Sequence, residues 1–156
     1  MHDDLRSLSL LLTQAERQRD EAFAEQLEAE HARRAAAAQA EQLVVYRREY
    51  EQRWGAEFCR DGKIELVRCY HGFIDRLTQA VEQQERVASN AAVRAERAEA
   101  IVRGHELRAA ALKKLVERRL RQGELVAARL AQKESDDRAV RAAWTRLTAP
   151  GGPTRL

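Results

Sequence analysis

The 156-residue chain has only 7 Gly and 2 Pro, and both prolines, Pro150 and Pro153, lie near its C-terminal end. Charged residues make up 34% of it and aromatic residues 5%, while helix-favouring Ala, Leu, Glu, Arg and Gln supply most of the rest. This composition is typical of long helices and coiled coils. It excludes β-sandwiches, barrels and nucleotide-binding α/β folds, which need β-branched strands and glycine turns. We therefore expect a protein that is not an enzyme, and a net charge of only +3 does not indicate a nucleic-acid partner.

The predicted elements follow one another without an internal proline. The first is a helix over residues 3–54, and residues 55–62, with two glycines and an Asp-Gly pair, form the predicted turn. A second helix is predicted over 63–147, where three glycines lie among strong helix formers. Residues 148–156 hold two Gly and two Pro and are predicted to be a disordered tail. The prediction is a single domain over residues 1–147.

Apolar residues recur at alternating spacings of three and four along both predicted helices, and we call each such row a seam. The seam of the second helix contains Val67, Tyr70, Ile74, Leu77, Val81, Ala88, Ala91, Ala95, Ala98, Val102, Ala109, Leu112 and Val116. The seam of the first contains Leu5, Leu8, Leu12, Ala15, Ala22, Ala29, Ala36, Ala40, Leu43, Tyr50 and Trp54. The seams predict an all-α fold, in which two long helices form an antiparallel coiled-coil hairpin and facing residue numbers add up to roughly 121.

With this pairing the second helix overhangs the first beyond Val116. Four of the next six seam positions are polar or glycine, so we expect residues 117–147, which we name the C-terminal arm, to be a single helix that meets another molecule. Between residues 103 and 133, nine basic residues stand against three acidic ones, a local charge of +6. This charge has two interpretations: a solvated helix face, or a basic arm for an acidic protein surface or for phosphates.

Six of the eight aromatic residues lie near the predicted turn. Heptad positions place Tyr46 and Phe73 beside the seam, on the same side of an antiparallel pair. One surface then collects the residues that we name the turn-end patch: Gln39, Leu43, Tyr46, Tyr50, Phe73, Leu77, Ala80 and Gln84. These rings either complete the hairpin core or form an aromatic docking surface. Because rings beside a two-stranded seam are hard to bury, the pattern favours docking.

The sequence contains no recognisable catalytic or metal-binding pattern. The four histidines are scattered, and Cys59, Cys69 and His71 lack the spacing of zinc ligands. We expect no catalytic residue, no metal and no cofactor, and both thiols should stay reduced in the cytoplasm. The sequence shows neither a secretory signal nor an apolar run near the roughly 20 residues of a membrane span.

Three segments resemble the flagellar export protein FliJ family in their order and spacing: residues 43–50 (LVVYRREY), 70–84 (YHGFIDRLTQAVEQQ) and 130–137 (LAQKESDD). The resemblance covers nearly the whole chain. It implies a two-helix antiparallel coiled coil similar to the rotor stalk of rotary ATPases. It also implies a cytoplasmic protein, peripheral to the inner membrane at the export apparatus.

The resemblance further implies partners: a hexameric export ATPase, the cytoplasmic domain of the export gate, and export chaperones. The family's gate contact falls on the turn-end patch, and its C-terminal pattern falls on Gln132, Lys133, Asp136 and Asp137. With the basic Arg118, Arg119 and Arg121, these are the predicted ATPase-ring residues.

The predicted function is therefore a non-enzymatic stalk that couples the export ATPase to the gate and is monomeric when free. Three alternatives remain at this point. One is a self-associating cytosolic coiled-coil scaffold, another is the equivalent stalk of a virulence type III secretion system, and the last is a basic coiled coil on nucleic acid.

Overall fold

A computed structural model of the chain describes residues 2–60 and 62–151, the side chain of Cys59 excepted. This part of the chain forms two α-helices, α1 (His2–Arg60) and α2 (Ile64–Thr148), and contains no strand. The helices pack against each other, which confirms the predicted all-α helical hairpin. Their length follows from a run of helix formers that no proline interrupts before residue 150.

Helix α1 is longer than the sequence predicts. It continues to Arg60, through most of the segment 55–62 that we expected to be a turn. Gly55 lies inside the helix, and a Cβ atom built there would lie 2.9 Å from the Tyr70 hydroxyl oxygen. This glycine therefore lets Tyr70 of α2 approach the backbone of α1 closely, and it does not end the helix.

The connection between the helices is short. Gly62 has a φ of 63°, a left-handed conformation that costs other residues about 1–2 kcal/mol. The first turn of α2 is closed by the Val67 amide, which donates to the Lys63 carbonyl oxygen at 3.1 Å. At the other end α2 stops at Thr148, and residues 150 and 151 have no regular structure. The predicted disordered tail lies outside the described residues from position 152 onward.

The chain divides into two compact units, and the larger one comprises residues 14–109. Its core consists mainly of small side chains. The buried residues are Ala15, Ala22, Ala29, Ala36, Ala40, Leu77, Val81, Ala95, Val102 and Ala109. Seven of these ten are alanines, so the backbones of the two helices can approach closely.

Contacts between α1 and α2 fix their register within this unit. Gln39 with Gln84, Tyr50 with Phe73, and Gly55 with Tyr70 are pairs whose residue numbers add up to 123, 123 and 125. The register is thus near 124, about three residues from the predicted 121. By the same count Ala15 faces Ala109, Ala22 faces Val102 and Ala29 faces Ala95, and all six are buried.

The other unit contains the start of α1 and residues from 110 onward. Here Leu5, Leu8 and Leu12 of α1 and Leu112 and Val116 of α2 are half-buried. An open cleft of about 420 Å³ follows, lined by His2, Leu5, Arg119, Leu120, Gly123, Glu124 and Ala127. The paired part therefore reaches Gly123, two turns beyond the predicted end at Val116, and residues 124–151 are all exposed.

Candidate functional site

The structure brings the two halves of the turn-end patch together. The Gln84 side-chain amide donates to Gln39 Oε1 at 3.1 Å, which joins α2 to α1 at the end of the patch away from the turn. Toward the turn, the Tyr50 ring lies 4.5 Å from the Phe73 ring between centroids. The patch residues predicted from heptad positions thus lie on two facing helices at matching levels.

The members of the patch differ in exposure. Leu77 is buried, and Gln39 and Tyr46 are exposed. The remaining members are half-buried: Leu43, Tyr50, Phe73, Ala80 and Gln84. Half of the Tyr46 surface is accessible, which makes this ring the most prominent apolar group of the patch. Phe73, predicted to be exposed like Tyr46, instead packs on Tyr50.

Tyr50 is the centre of a ladder of rings. Its centroid lies 6.4 Å from that of Tyr46 and 6.0 Å from that of Tyr70, the latter nearly parallel at 11°. The ladder continues through Phe58, which lies 5.8 Å from both Tyr70 and Trp54. Tyr70 and Trp54 were predicted as seam residues and not as members of the patch. The sequence feature that indicates their place in the ladder is the clustering of six aromatic residues near the turn.

A small cleft of about 150 Å³ lies beside the exposed tyrosine. Tyr46, Tyr50 and Trp54 line it together with Glu49 and Arg53. Sequence reasoning did not include Glu49 and Arg53, because both occupy ordinary solvent positions of the helix. The cleft places an acid and a base next to apolar rings, an arrangement that suits a partner with an apolar anchor and polar edges.

The predicted ATPase-ring residues form an exposed row and not a compact site. Arg118, Arg119 and Arg121 begin the row, and Asp137 ends it about 30 Å further along α2, at 1.5 Å per residue. Gln132 and Asp136 interact within the helix, where the Gln132 side-chain amide donates to Asp136 Oδ1 at 3.0 Å. Arg119 also lines the cleft at the start of α1.

Within residues 2–60 and 62–151, no group of three or more His, Cys, Asp and Glu residues could hold a metal ion. The same part of the chain contains no helix with the length and apolarity needed to cross a membrane.

The family model described as flagellar FliJ protein matches residues 4–148. The chain therefore belongs to the flagellar FliJ protein family, and it is a component of flagellar type III protein export. This family consists of structural export components and is not a known family of enzymes. No curated protein and no solved structure matches the chain significantly.

Proposed function

We propose that this chain is the non-enzymatic stalk that links the hexameric export ATPase to the export gate and to export chaperones in the cytoplasm. In this role the turn-end patch binds the cytoplasmic domain of the gate, and the C-terminal arm enters the ATPase ring. Hydrolysis takes place in the ATPase, and the hairpin transmits its effect.

The main support for the gate contact is the half-exposed Tyr46 ring on the ladder of Tyr50 and Phe73. The Tyr50 ring lies against Tyr46 and restricts its motion, so a partner can bury Tyr46 at little entropic cost. Aromatic residues at the centre of an interface commonly contribute about 2 kcal/mol or more to binding. The Gln39–Gln84 hydrogen bond keeps the two helices of the patch at the same level.

Support for the ring contact comes from the arm. Its predicted contact residues are all exposed, and from residue 124 onward α2 is exposed at every described position. Family membership supports an association with the export apparatus. A helix exposed on all sides can fit inside a ring, where each subunit contacts a different face.

The first prediction tests the gate contact with Tyr46→Ala. We expect this variant to weaken binding to the gate's cytoplasmic domain by about 2 kcal/mol, roughly 30-fold, in isothermal titration calorimetry. Its melting temperature should change little, because half of the ring is already exposed. Phe23→Ala is the matched control, since Phe23 is an α1 aromatic that is 49% exposed and lies outside the patch.

Two further variants separate binding from folding. Leu112→Ala should lower the melting temperature and leave gate binding intact, because Leu112 is a half-buried seam residue far along α2 from the patch. Phe73→Ala should reduce both quantities, because its ring packs on Tyr50. If Tyr46→Ala lowers the melting temperature and leaves binding unchanged, the patch belongs to the core and the gate contact lies elsewhere. Self-association that requires Tyr46 would instead favour the scaffold function.

A further inference from the structure

The exposed end of α2 continues the seam of the hairpin. Beyond Gly123 the alternating spacing of three and four runs through Val126, Leu130, Lys133, Asp137, Val140, Trp144 and Leu147. Five of these seven are apolar, and their exposure rises to 65% at Trp144 and 84% at Leu147. Such a heptad seam normally faces a second helix. In α2 this stretch has no described helix of its own chain beside it.

This seam can pair with the same seam of a second copy that runs in the opposite direction. When two copies lie antiparallel with facing residue numbers that add up to 270, every seam position meets a suitable residue. Val126 meets Trp144, and Leu130 meets Val140. At the centre Lys133 faces Asp137 of the second copy, and Asp137 faces its Lys133. The two charged residues that interrupt the apolar seam are therefore the two that would neutralise each other.

Positions that flank the seam agree with this arrangement. The residues beside the seam occupy heptad positions e and g. In an antiparallel pair, position g of one helix faces position g of the other, and position e faces position e. The same register brings Arg129 toward Asp136 of the second copy, and Glu134 toward its Arg141. Both pairs join opposite charges. Glu134 lies 3.8 Å from Arg138 of its own chain, a long contact that leaves it able to bind a second arginine.

The cleft at the start of α1 fits the end of this seam. In the antiparallel register Leu147 of the second copy faces Gly123, which lines the cleft together with Leu5, Leu120 and Ala127. Nothing lies within 4 Å of a Cβ atom built at Gly123, so an incoming leucine side chain has room there. The last turn of the second copy carries the basic Arg146 and would lie near the level of the first turn of α1, which carries the acidic Asp3 and Asp4.

We propose that two copies of this chain associate through residues 123–147 as an antiparallel coiled coil, with its twofold axis near residue 135. A parallel pair would place Lys133 against Lys133 and Asp137 against Asp137, so the central charges select the antiparallel orientation. The chain is then a monomer, as expected from the sequence, at low protein concentration, and a dimer at higher concentration. The proposal does not depend on the proposed function, although the same arm cannot contact an ATPase ring and a second copy at once.

The second prediction tests this self-association on the full chain alone, by sedimentation velocity over a wide range of concentration. Wild-type protein should show a monomer–dimer equilibrium. Lys133→Glu and Asp137→Lys should each raise the dimer dissociation constant at least about tenfold, because each puts like charges face to face. The double variant Lys133→Glu with Asp137→Lys should restore dimerisation, since the exchanged charges again face each other.

Two further variants change apolar residues of the same arm, one as a control and one as a second test. Leu125 is 59% exposed on another face of α2, so Leu125→Ala should leave the dissociation constant unchanged. Leu147→Ser removes the side chain that would fill the cleft and should weaken the dimer. Circular dichroism checks that each variant remains helical.

Disulfide trapping determines the orientation. In a background with Cys59→Ser and Cys69→Ser, Lys133→Cys protein is mixed with a differently tagged Asp137→Cys protein. The proposal predicts mixed disulfides between positions 133 and 137, and few homodimers of either variant. A wild-type chain that is monomeric at every concentration, a double variant that stays monomeric, or trapping mainly of 133 with 133 would each overturn the proposal.

Discussion

At the scale of single residues, Glu30 binds Arg33, a large charged residue in the alanine-rich seam of α1. Arg33 interrupts the seam of α1 between Ala29 and Ala36, and by register it faces the small Ala91. Its guanidinium turns back to Glu30, donating to the two carboxylate oxygens at 2.9 and 2.6 Å. Arg34 donates to the same carboxylate at 3.2 Å. The charge of Arg33 thus leaves the seam while its aliphatic part packs beside it.

The third prediction concerns pH. The hydrogen bond from Arg33, aided by Arg34, lowers the pKa of Glu30 from 4.5 to about 2. A group with a lowered pKa stabilises the fold fully above its unfolded pKa, and this contribution disappears as pH falls through the folded pKa. We therefore expect Glu30→Gln to melt below the wild type above pH 4.5. The difference should shrink as the pH falls from about 4.5 to about 2.

The control for this prediction is Arg33→Gln, which removes the main partner of Glu30. It should abolish most of the pH-dependent difference, and adding Glu30→Gln to it should have little further effect. A Glu30→Gln difference that stays constant from pH 7 to pH 2 would show that this ion pair does not contribute to stability. Melting curves followed by circular dichroism suffice for all of these variants.

At the scale of elements, the sequence predicts the two helices and the alanine seam because both depend on local spacing. The end of α1 could not be predicted in the same way. Two glycines and an Asp-Gly pair suggested a turn over 55–62, but Gly55 is required by a distant residue, Tyr70. The register between the two helices could not be predicted exactly either, because a seven-residue repeat remains compatible with small shifts of one helix along the other. Contacts such as Gln39 with Gln84 fix it, and they depend on both helices.

The fourth prediction concerns the close packing of the two helices. Ala29 is 2% exposed and by register faces the buried Ala95, so a larger side chain has no space. We expect Ala29→Leu to lower the free energy of unfolding by about 1–3 kcal/mol. Ala24→Leu is the control, because Ala24 is exposed on the opposite face of the same helix and should change stability by no more than about 0.5 kcal/mol. Equal unfolding free energies for the two variants in urea would show that the seam is not closely packed.

At the scale of the whole molecule, the two proposed contact surfaces lie on different units of one chain. The turn-end patch belongs to the unit of residues 14–109, and the C-terminal arm belongs to the other. Helix α2 carries residues of both, from Phe73 to Asp137, without a break. The patch residues were predictable because heptad positions in both helices place them beside one seam. The sequence predicts that the arm lacks a neighbouring helix, and the structure adds where the pairing ends, at Gly123, beyond which every described residue is exposed.

The fifth prediction uses this separation. Deleting residues 131–156 removes only exposed or undescribed positions and keeps every half-buried seam residue, so the hairpin should melt within a few degrees of the full chain. The truncated chain should bind the gate's cytoplasmic domain normally but fail to assemble or stimulate the hexameric ATPase. Tyr46→Ala should show the reverse, with normal ATPase stimulation and weak gate binding. Loss of both activities in either variant would mean that one surface serves both partners, and normal ATPase stimulation by the truncated chain would exclude the arm from the ring contact.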